Sequence, residues 1–497
     1  MNSTETEDIT NVPRDVPRMR RTKIVATLGP ATDSDQALEK LVRAGVDVVR
    51  VNFSHGDPDS HRSRVRRIRE TSERLGRCVG VLGDLQGPKI RTARFRDGQV
   101  ELSEGDSFAL DASFPADAGD PTQVGLTYPD LPADVHPDDL LLLDDGRLVL
   151  RVVEVNGPRI ETLVVVGGTL SNNKGINRQG GGLSAPAITE KDREDIRLAA
   201  ELEVDFLAVS FPRSAQDIQL ARDLLHEAGG DAAICAKIER AEALDAIDEI
   251  ISASDVIMIA RGDLGVEIGD AELPAVQKTL ITRARKLNRT VITATQMMES
   301  MIQNPIPTRA EVFDVANAVL DGTDAVMLSG ETATGRYPDK VVGSMARICV
   351  AAERQRAARQ STHRMDSYFG RVDEAIAMAA MYTANHLDVS AIAALTESGS
   401  TALWMSRISS GIPIFALTRQ AKTSRRLTLY RGVYPVVLPT IPETHEETNR
   451  EAIRLLLKEG VVKDGELVII TKGDLNGVPG GTNALKIVRV GETVTIP

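Results

Sequence analysis

Residues 290–337 read TVITATQMMESMIQNPIPTRAEVFDVANAVLDGTDAVMLSGETATGRY. The β-branched run Thr290–Thr295 predicts a strand ending in polar residues. Met297–Met301 is helix-prone, and Asn304-Pro305 and Pro307 break it. Pro307-Thr308-Arg309-Ala310-Glu311 opens a second helix through Val312 and Phe313 to Leu320. A second apolar strand, Ala325–Leu328, ends in Ser329-Gly330-Glu331-Thr332. Strand, helix, strand with polar groups at both strand ends is a parallel-sheet unit with a site at its carboxyl edge.

The same unit recurs outward from this stretch. Eight short apolar runs can be traced: Lys23–Leu28, Val46–Val51, Val79–Leu82, Phe206–Val209, Ala232–Ala236, Val256–Ile259, Val291–Ala294 and Ala325–Leu328. Helical periodicity separates most of them. Asp35–Ala44 stops at Gly45, His61–Leu75 stops at Gly76, and Thr189-Glu190-Lys191-Asp192 is a capping box before Val204. Eight alternations predict a (β/α)8 TIM barrel over residues 21–87 and 186–355. Residues 88–185 carry strand-like runs (Leu140–Leu143, Leu148–Val155, Glu161–Val166) without helical periodicity. They predict an inserted small β-barrel domain, placed as a lid, with hinges at Gly87-Pro88 and Gly180–Pro186. Residues 356–497 open with a basic connector and then alternate helices with the strands Ile392–Ala394, Ile414–Leu417, Val433–Leu438 and Leu467–Thr471, an open α/β domain.

The whole chain, 497 residues with 42% hydrophobic and 3% aromatic, is long enough for about three domains with aliphatic cores. A net charge of −12 argues against nucleic acid and acidic membranes as partners. No apolar run reaches membrane-spanning length. Residues 1–20 are polar, with Pro13 and Pro17, and read as a flexible arm rather than a signal peptide. Cys78, Cys235 and Cys349 sit in apolar runs with no paired or metal-ligand spacing, as expected of core thiols in a reducing, cytoplasmic setting.

Most strand ends carry chemistry: Arg50/Asn52/Ser54, Asp84, Ser210, Lys237/Glu239, Arg261/Asp263, Thr295 and Ser329/Glu331. Some are solvated ends, but charges on several neighbouring strands point to a barrel-mouth site. Lys237 and Glu239 are two apart and face one side of their strand. Glu239 and Asp263, on adjacent strand ends, suit one Mg2+ (or Mn2+). A lysine beside them can neutralise a transferring phosphoryl group. A buried ion pair is the commoner meaning of such a lysine alone; the metal-capable pair beside it favours a site. Gly262-Asp263, before a helix expected at Ala271, offers backbone N–H groups to a carboxylate. Thr295 could deliver a proton directly or through a water, and Ser329 is a weaker candidate. Thr396-Glu397-Ser398-Gly399-Ser400-Thr401 follows a strand and opens a helix, either an anion cradle or an ordinary cap.

These motifs resemble the pyruvate kinase family. ATQMMES at 294–300, PIPTRAEVFDVANAVLDGTD at 305–324 and MLSGETATGRYP at 327–338 stand nearly letter for letter in its pattern. The resemblance runs from about Arg21 to the C-terminus. It implies phosphoryl transfer from phosphoenolpyruvate to ADP, giving pyruvate and ATP, in an allosteric homotetramer. It implies that Lys237 stabilises the phosphoryl group, that Glu239 and Asp263 ligate Mg2+, and that Arg50 of RVNFSHG binds the substrate phosphate. Ser210, Gly262, Asp263 and Thr295 complete the substrate site, and Asn52, His55, Arg91 and Lys174 fall to the nucleotide. Asn52, Ser54, Asp84 and Leu85 match a monovalent-cation region. Here the chain reads Asp84-Leu85-Gln86-Gly87-Pro88-Lys89, as the K+-independent branch does, with Lys89 supplying a cation so that K+ is not required.

Thr396, Ser398, Gly399, Ser400 and Thr401, with Gly480–Asn483, match the family's effector loops. Glu397 and Ser400 replace residues that are often basic, which implies a monophosphorylated sugar or AMP rather than a bisphosphate. Arg240 and Arg178-Gln179 depart from the pattern. A Mg2+-dependent barrel lyase acting on keto acids needs the metal pair but not Arg91, Lys174 or the lid. A non-catalytic metabolite sensor would leave the charged set unexplained.

Overall fold

The computed structural model describes residues 19–355, 368–438, 444–474 and 480–492. Nearly all of the expected N-terminal arm and most of the basic connector lie outside them. The chain forms two compact units. One comprises Thr22–Ala352 with Gln420–Arg431; the other takes Glu353–Arg419 and Gly432 onward, with the residues preceding Thr22.

The first unit holds a closed barrel of eight parallel strands: β1 (Lys23–Thr27), β2 (Val48–Asn52), β3 (Gly80–Asp84), β4 (Phe206–Val209), β5 (Ala233–Ile238), β6 (Val256–Ala260), β7 (Thr290–Ala294) and β8 (Ala325–Leu328). Order around the barrel follows the sequence, and β8 closes on β1 with Lys23 opposite Ala325. β3, β6 and β7 are buried at every residue, because helices cover the outside and side chains fill the inside. The eight apolar runs are these eight strands.

Local chemistry sets the helices between them. Thr308 caps Arg309–Asp321 in a capping box with Glu311, and Thr189 does the same with Asp192 for Glu190–Glu201. Gly45, at φ 106°, ends Asp35–Ala44 with its N–H on the Val42 carbonyl. Two expectations are corrected. Met297–Met301 is not a helix that continues from β7. Thr295 and Gln296 both take positive φ, 66° and 52°, and only a 3-10 turn, Glu299–Ile302, follows. The break expected between Gly262-Asp263 and the helix at Ala271 is also filled: a helix runs Arg261–Ile268, and the expected one follows at Leu273–Lys286.

Between β3 and β4 the chain builds a six-stranded sheet and a two-stranded ladder, Gln99–Leu102 with Gly168–Ser171. Both share one apolar core that includes Phe108, Leu141, Leu150 and Leu170. A single short helix, Leu131–Asp134, interrupts the strands.

The second unit has a five-stranded sheet in the order Val433–Val437, Ile414–Thr418, Ala391–Leu395, Leu467–Gly473, Thr482–Arg489. Its last strand is antiparallel and was not expected. Polar residues at Thr482, Asn483, Lys486 and Arg489 hide its strand character in the sequence. No helix among the described residues is long and apolar enough to cross a membrane.

Candidate active site

The carboxyl ends of the barrel strands and the inserted domain enclose a cavity of about 380 Å³. Lys237, on β5, is its electrostatic centre. Its Nζ donates to Ser210 Oγ at 2.6 Å and lies 3.2 Å from Asp84 Oδ1 and 3.1 Å from Glu239 Oε1. Burial pulls its pKa down, but Asp84 and Glu239 outweigh that and hold it above its ordinary value. Asp84, fully buried at the end of β3, also accepts from Arg50 Nε at 2.5 Å. Arg50 further donates to Thr27 Oγ1 at 3.1 Å. One carboxylate thus orients two cations, Arg50 on the adjacent strand β2 and Lys237 on β5, beyond β4. Asp84 keeps its proton off despite burial because Lys237 and Arg50 face it.

Glu239 and Asp263 both line the cavity. Burial lifts Glu239 to about 7, Lys237 opposes this, and the nearby Asp263 lifts it further. Burial likewise raises Asp263. Two crowded carboxylates that resist ionisation are a donor set suited to a hard divalent cation. Across the cavity floor Thr295 Oγ1 accepts the Gly262 N–H at 2.8 Å and donates to the Ala294 carbonyl at 2.6 Å. The Gly262 N–H is therefore already engaged.

The other wall belongs to the inserted domain and its entrance. Lys89, Arg91 and Lys174 all reach the cavity. Burial, with Arg91 and Lys237 nearby, lowers Lys89 to about 8 against the opposing pull of Asp84 and Asp263. Lys174 is tied to Asp144 Oδ1 at 2.8 Å. Asn52, Ser54 and Ser329 complete this rim. His55 is exposed outside the lining, although Lys89, Arg91 and Arg50 help burial to lower its pKa. Ser210 and Leu85 lie behind the wall, joined by Ser210 Oγ donating to the Leu85 carbonyl at 2.8 Å. Glu331 turns away from the cavity and accepts the backbone N–H groups of Met298 and Ser329, at 3.1 and 2.7 Å.

Thr396–Thr401 lies in the other unit. Thr396 Oγ1 accepts the Gly399 N–H at 2.9 Å, and Ser398 Oγ bonds Ser400 Oγ at 2.5 Å. Thr401 Oγ1 meets Thr482 Oγ1 at 2.7 Å, so both candidate effector stretches converge. Glu397 is paired with Arg419 at 3.3 Å. The repulsion expected of a bare carboxylate is therefore offset, through a residue far along the chain.

The family of the pyruvate kinase barrel domain matches residues 19–342, and that of the pyruvate kinase alpha/beta domain matches residues 374–488. The chain belongs to the pyruvate kinase family. It is 58% identical to pyruvate kinase II of Salmonella typhimurium over 477 residues, 95% of this chain and 99% of that protein. Identity to the pyruvate kinase of Haemophilus influenzae is also 58%, over 92% of this chain and 96% of that one. A crystal structure of a Cryptosporidium parvum pyruvate kinase superposes with a TM-score of 0.88 at 35% identity, covering 95% of this chain and 96% of that chain. The chain is accordingly an enzyme with pyruvate kinase activity, a phosphotransferase whose family takes phosphoenolpyruvate and ADP and requires a divalent metal.

Two site features were not read from the sequence. Arg261, named there only as a charged strand end, is 7% exposed and points into the protein. Its guanidinium donates to both Asp314 oxygens, at 2.7 and 2.8 Å, and to the Thr295 carbonyl at 2.8 Å, propping the left-handed turn that carries Thr295. Asp84 was placed with monovalent-cation residues rather than as the shared counter-ion of Arg50 and Lys237. An Asp at a strand end, in a barrel whose other strands also end in Arg and Lys, was the signal available.

Proposed function

We propose that Lys237 and Arg50 together hold the phosphoryl group of phosphoenolpyruvate while an oxygen of the ADP β-phosphate attacks phosphorus. The observation that carries this is the arrangement around Asp84. Both cations are oriented by one buried carboxylate and are largely shielded from solvent. As the bond from phosphorus to the enol oxygen breaks, its electron pair stays on that oxygen, and fixed positive charge stabilises the transition state most. Glu239 and Asp263 would hold Mg2+ or Mn2+, which when bound neutralises phosphate oxygens and the enolate. The helix starting at Arg261 turns the positive end of its dipole, at Gly262 and Asp263, toward the substrate carboxylate, while the Gly262 N–H itself stays on Thr295 Oγ1. The Thr295 hydroxyl already points its hydrogen at Ala294 O. Its part is therefore to orient a water that protonates the enolate carbon.

Arg91, Lys174, Asn52 and His55 form the nucleotide side of this reading, and the inserted domain excludes water that would hydrolyse the phosphoryl group. Lys89 replaces a monovalent cation: with an ammonium supplied by the chain, K+ would only add like charge beside Asp84 and Leu85. Thr396, Ser398, Gly399, Ser400 and Thr401 would take one phosphate of a phosphorylated sugar or AMP and make the enzyme allosteric. A homotetramer fits the exposed apolar side chains Ile306 and Phe313, 71% and 75% exposed. Three free thiols suit a cytoplasmic setting. The test of the site is a Mg2+ titration of pyruvate formation. Glu239→Gln and Asp263→Asn should each need about tenfold more Mg2+ or worse. Unchanged titrations in both variants would move the metal elsewhere.

A further inference from the structure

The inserted domain leaves and rejoins the barrel through two glycine turns that meet at one pair of side chains. On the entry side Gly87 takes φ +68° and packs so tightly that a Cβ there would lie 3.0 Å from the Phe211 ring. On the return side Gly180, Gly181 and Gly182 take φ +79°, +78° and +94° in succession. Three consecutive glycines give the chain almost no intrinsic preference, so neighbours must hold them. The Gly180 N–H donates to the Glu267 carbonyl at 3.1 Å, and the Gly182 N–H to Glu242. The next carbonyl, Leu183 O, accepts from Arg240 Nη1 at 3.0 Å.

Arg240 is only 4% exposed, and its guanidinium carbon lies 5.5 Å from the centre of the Phe211 ring. Phe211 itself sits at φ +55°, a conformation a bulky residue keeps only when its surroundings impose it. In that conformation its N–H donates to Glu239 Oε2 at 2.9 Å.

We propose that Arg240 is a positioning residue that couples both hinges of the inserted domain to the carboxylate Glu239. Its guanidinium fastens the return hinge through Leu183 O. The same group covers the Phe211 ring, keeping Phe211 in the left-handed turn that hands its N–H to Glu239 and touches Gly87. A position of the inserted domain in which Leu183 withdraws from Arg240 releases Phe211, and Glu239 loses a partner that fixes its orientation. This rests on the reading of Glu239 as a metal ligand.

The test uses the full-length protein and two readouts besides turnover: amide hydrogen exchange of the metal-free protein over residues 178–185 and 209–213, and Mn2+ affinity by electron paramagnetic resonance. Arg240→Asn should speed exchange in both segments about tenfold and weaken Mn2+ binding about tenfold. Arg240→Lys keeps a cation without the planar fork; it should show smaller changes in the same sense, and it serves if the Asn variant does not fold. Glu239→Gln is the control. If it weakens Mn2+ binding while the Arg240 variants speed hinge exchange and leave Mn2+ affinity within about twofold, Arg240 is only a hinge peg and the coupling is overturned. If Glu239→Gln also leaves Mn2+ affinity unchanged, the metal reading fails and the inference falls with it.

Discussion

At the scale of single residues the site is a problem of buried charge. Lys237→Met should lower kcat on the order of 10³-fold or more, since its charge acts chiefly on the transition state. Asp84 would still be paired with Arg50, so circular dichroism should show a folded protein; near-normal turnover would remove Lys237 from the mechanism. Lys89 gives a pH prediction with a definite sign. Its folded pKa, about 8, lies below its ordinary 10.5, so burying the charged form costs stability below about 8, and the cost fades between the two values as the folded state sheds its proton first. Function runs the other way. As pH rises through about 8 the cavity loses a cation, so KM for phosphoenolpyruvate should rise, and Lys89→Arg should flatten that rise. With tetramethylammonium as the sole monovalent cation the enzyme should keep near-full activity. Lys89→Glu should lose activity and regain part of it with K+. A large K+ activation of the natural chain would defeat this reading of Lys89. The residue types of this cluster were legible in the sequence, because period-two alternation puts Lys237 and Glu239 on one side of a strand. The sharing of Asp84 and the inward turn of Arg261 were not, because they depend on which side chains meet across the closed barrel.

At the scale of elements, helix Arg309–Asp321 depends on its cap. Glu311 closes the box with Thr308 and also accepts the Ser300 N–H and hydroxyl, at 2.7 and 2.6 Å, tying the helix to the 3-10 turn after β7. Thr308→Ala should cost about 1 kcal/mol in chemical denaturation. Burial raises the Glu311 pKa, but the bonds from Ser300 and Thr308 outweigh it and leave it below the usual 4.5. This contribution is therefore present above about 4.5 and lost as pH falls through the lower folded value; Glu311→Gln should weaken that acid dependence. In the effector loop, calorimetric titration should show ribose 5-phosphate or AMP binding, and tight binding of fructose 1,6-bisphosphate alone would overturn the single-phosphate reading. Arg419→Ala removes a cation that offsets the Glu397 carboxylate and should weaken that binding severalfold. The capping box and the loop were legible as local patterns. The Glu397–Arg419 pair was not, because it spans two strands of the sheet.

At the scale of the molecule, the barrel is completed by chain that the sequence assigns elsewhere. Helix Ala421–Leu427 and the residues after it leave the C-terminal α/β region and join the barrel unit. Leu429 is fully buried among Val25, Val48, Leu82 and Phe206 of the barrel interior. Arg425 Nε bonds Asp205 Oδ1 at 2.7 Å, while Asp205 Oδ2 accepts the Val81 N–H at 2.9 Å. Leu429→Ala should cost about 3 kcal/mol, read as a lower Tm. Arg425→Ala, which strands a buried carboxylate, should cost about as much; an unchanged Tm in both would show that this segment does not support the barrel. Eight strands, their order and the polar strand ends were written in sequence periodicity, because a closed parallel barrel demands apolar runs at regular intervals and places chemistry at one edge. Folding alone decided which charges share a counter-ion, how Thr295 and Phe211 come to hold left-handed turns, and that Leu429 fills the barrel. Each of these depends on contacts between residues distant in the chain, and local pattern carries no record of such distances.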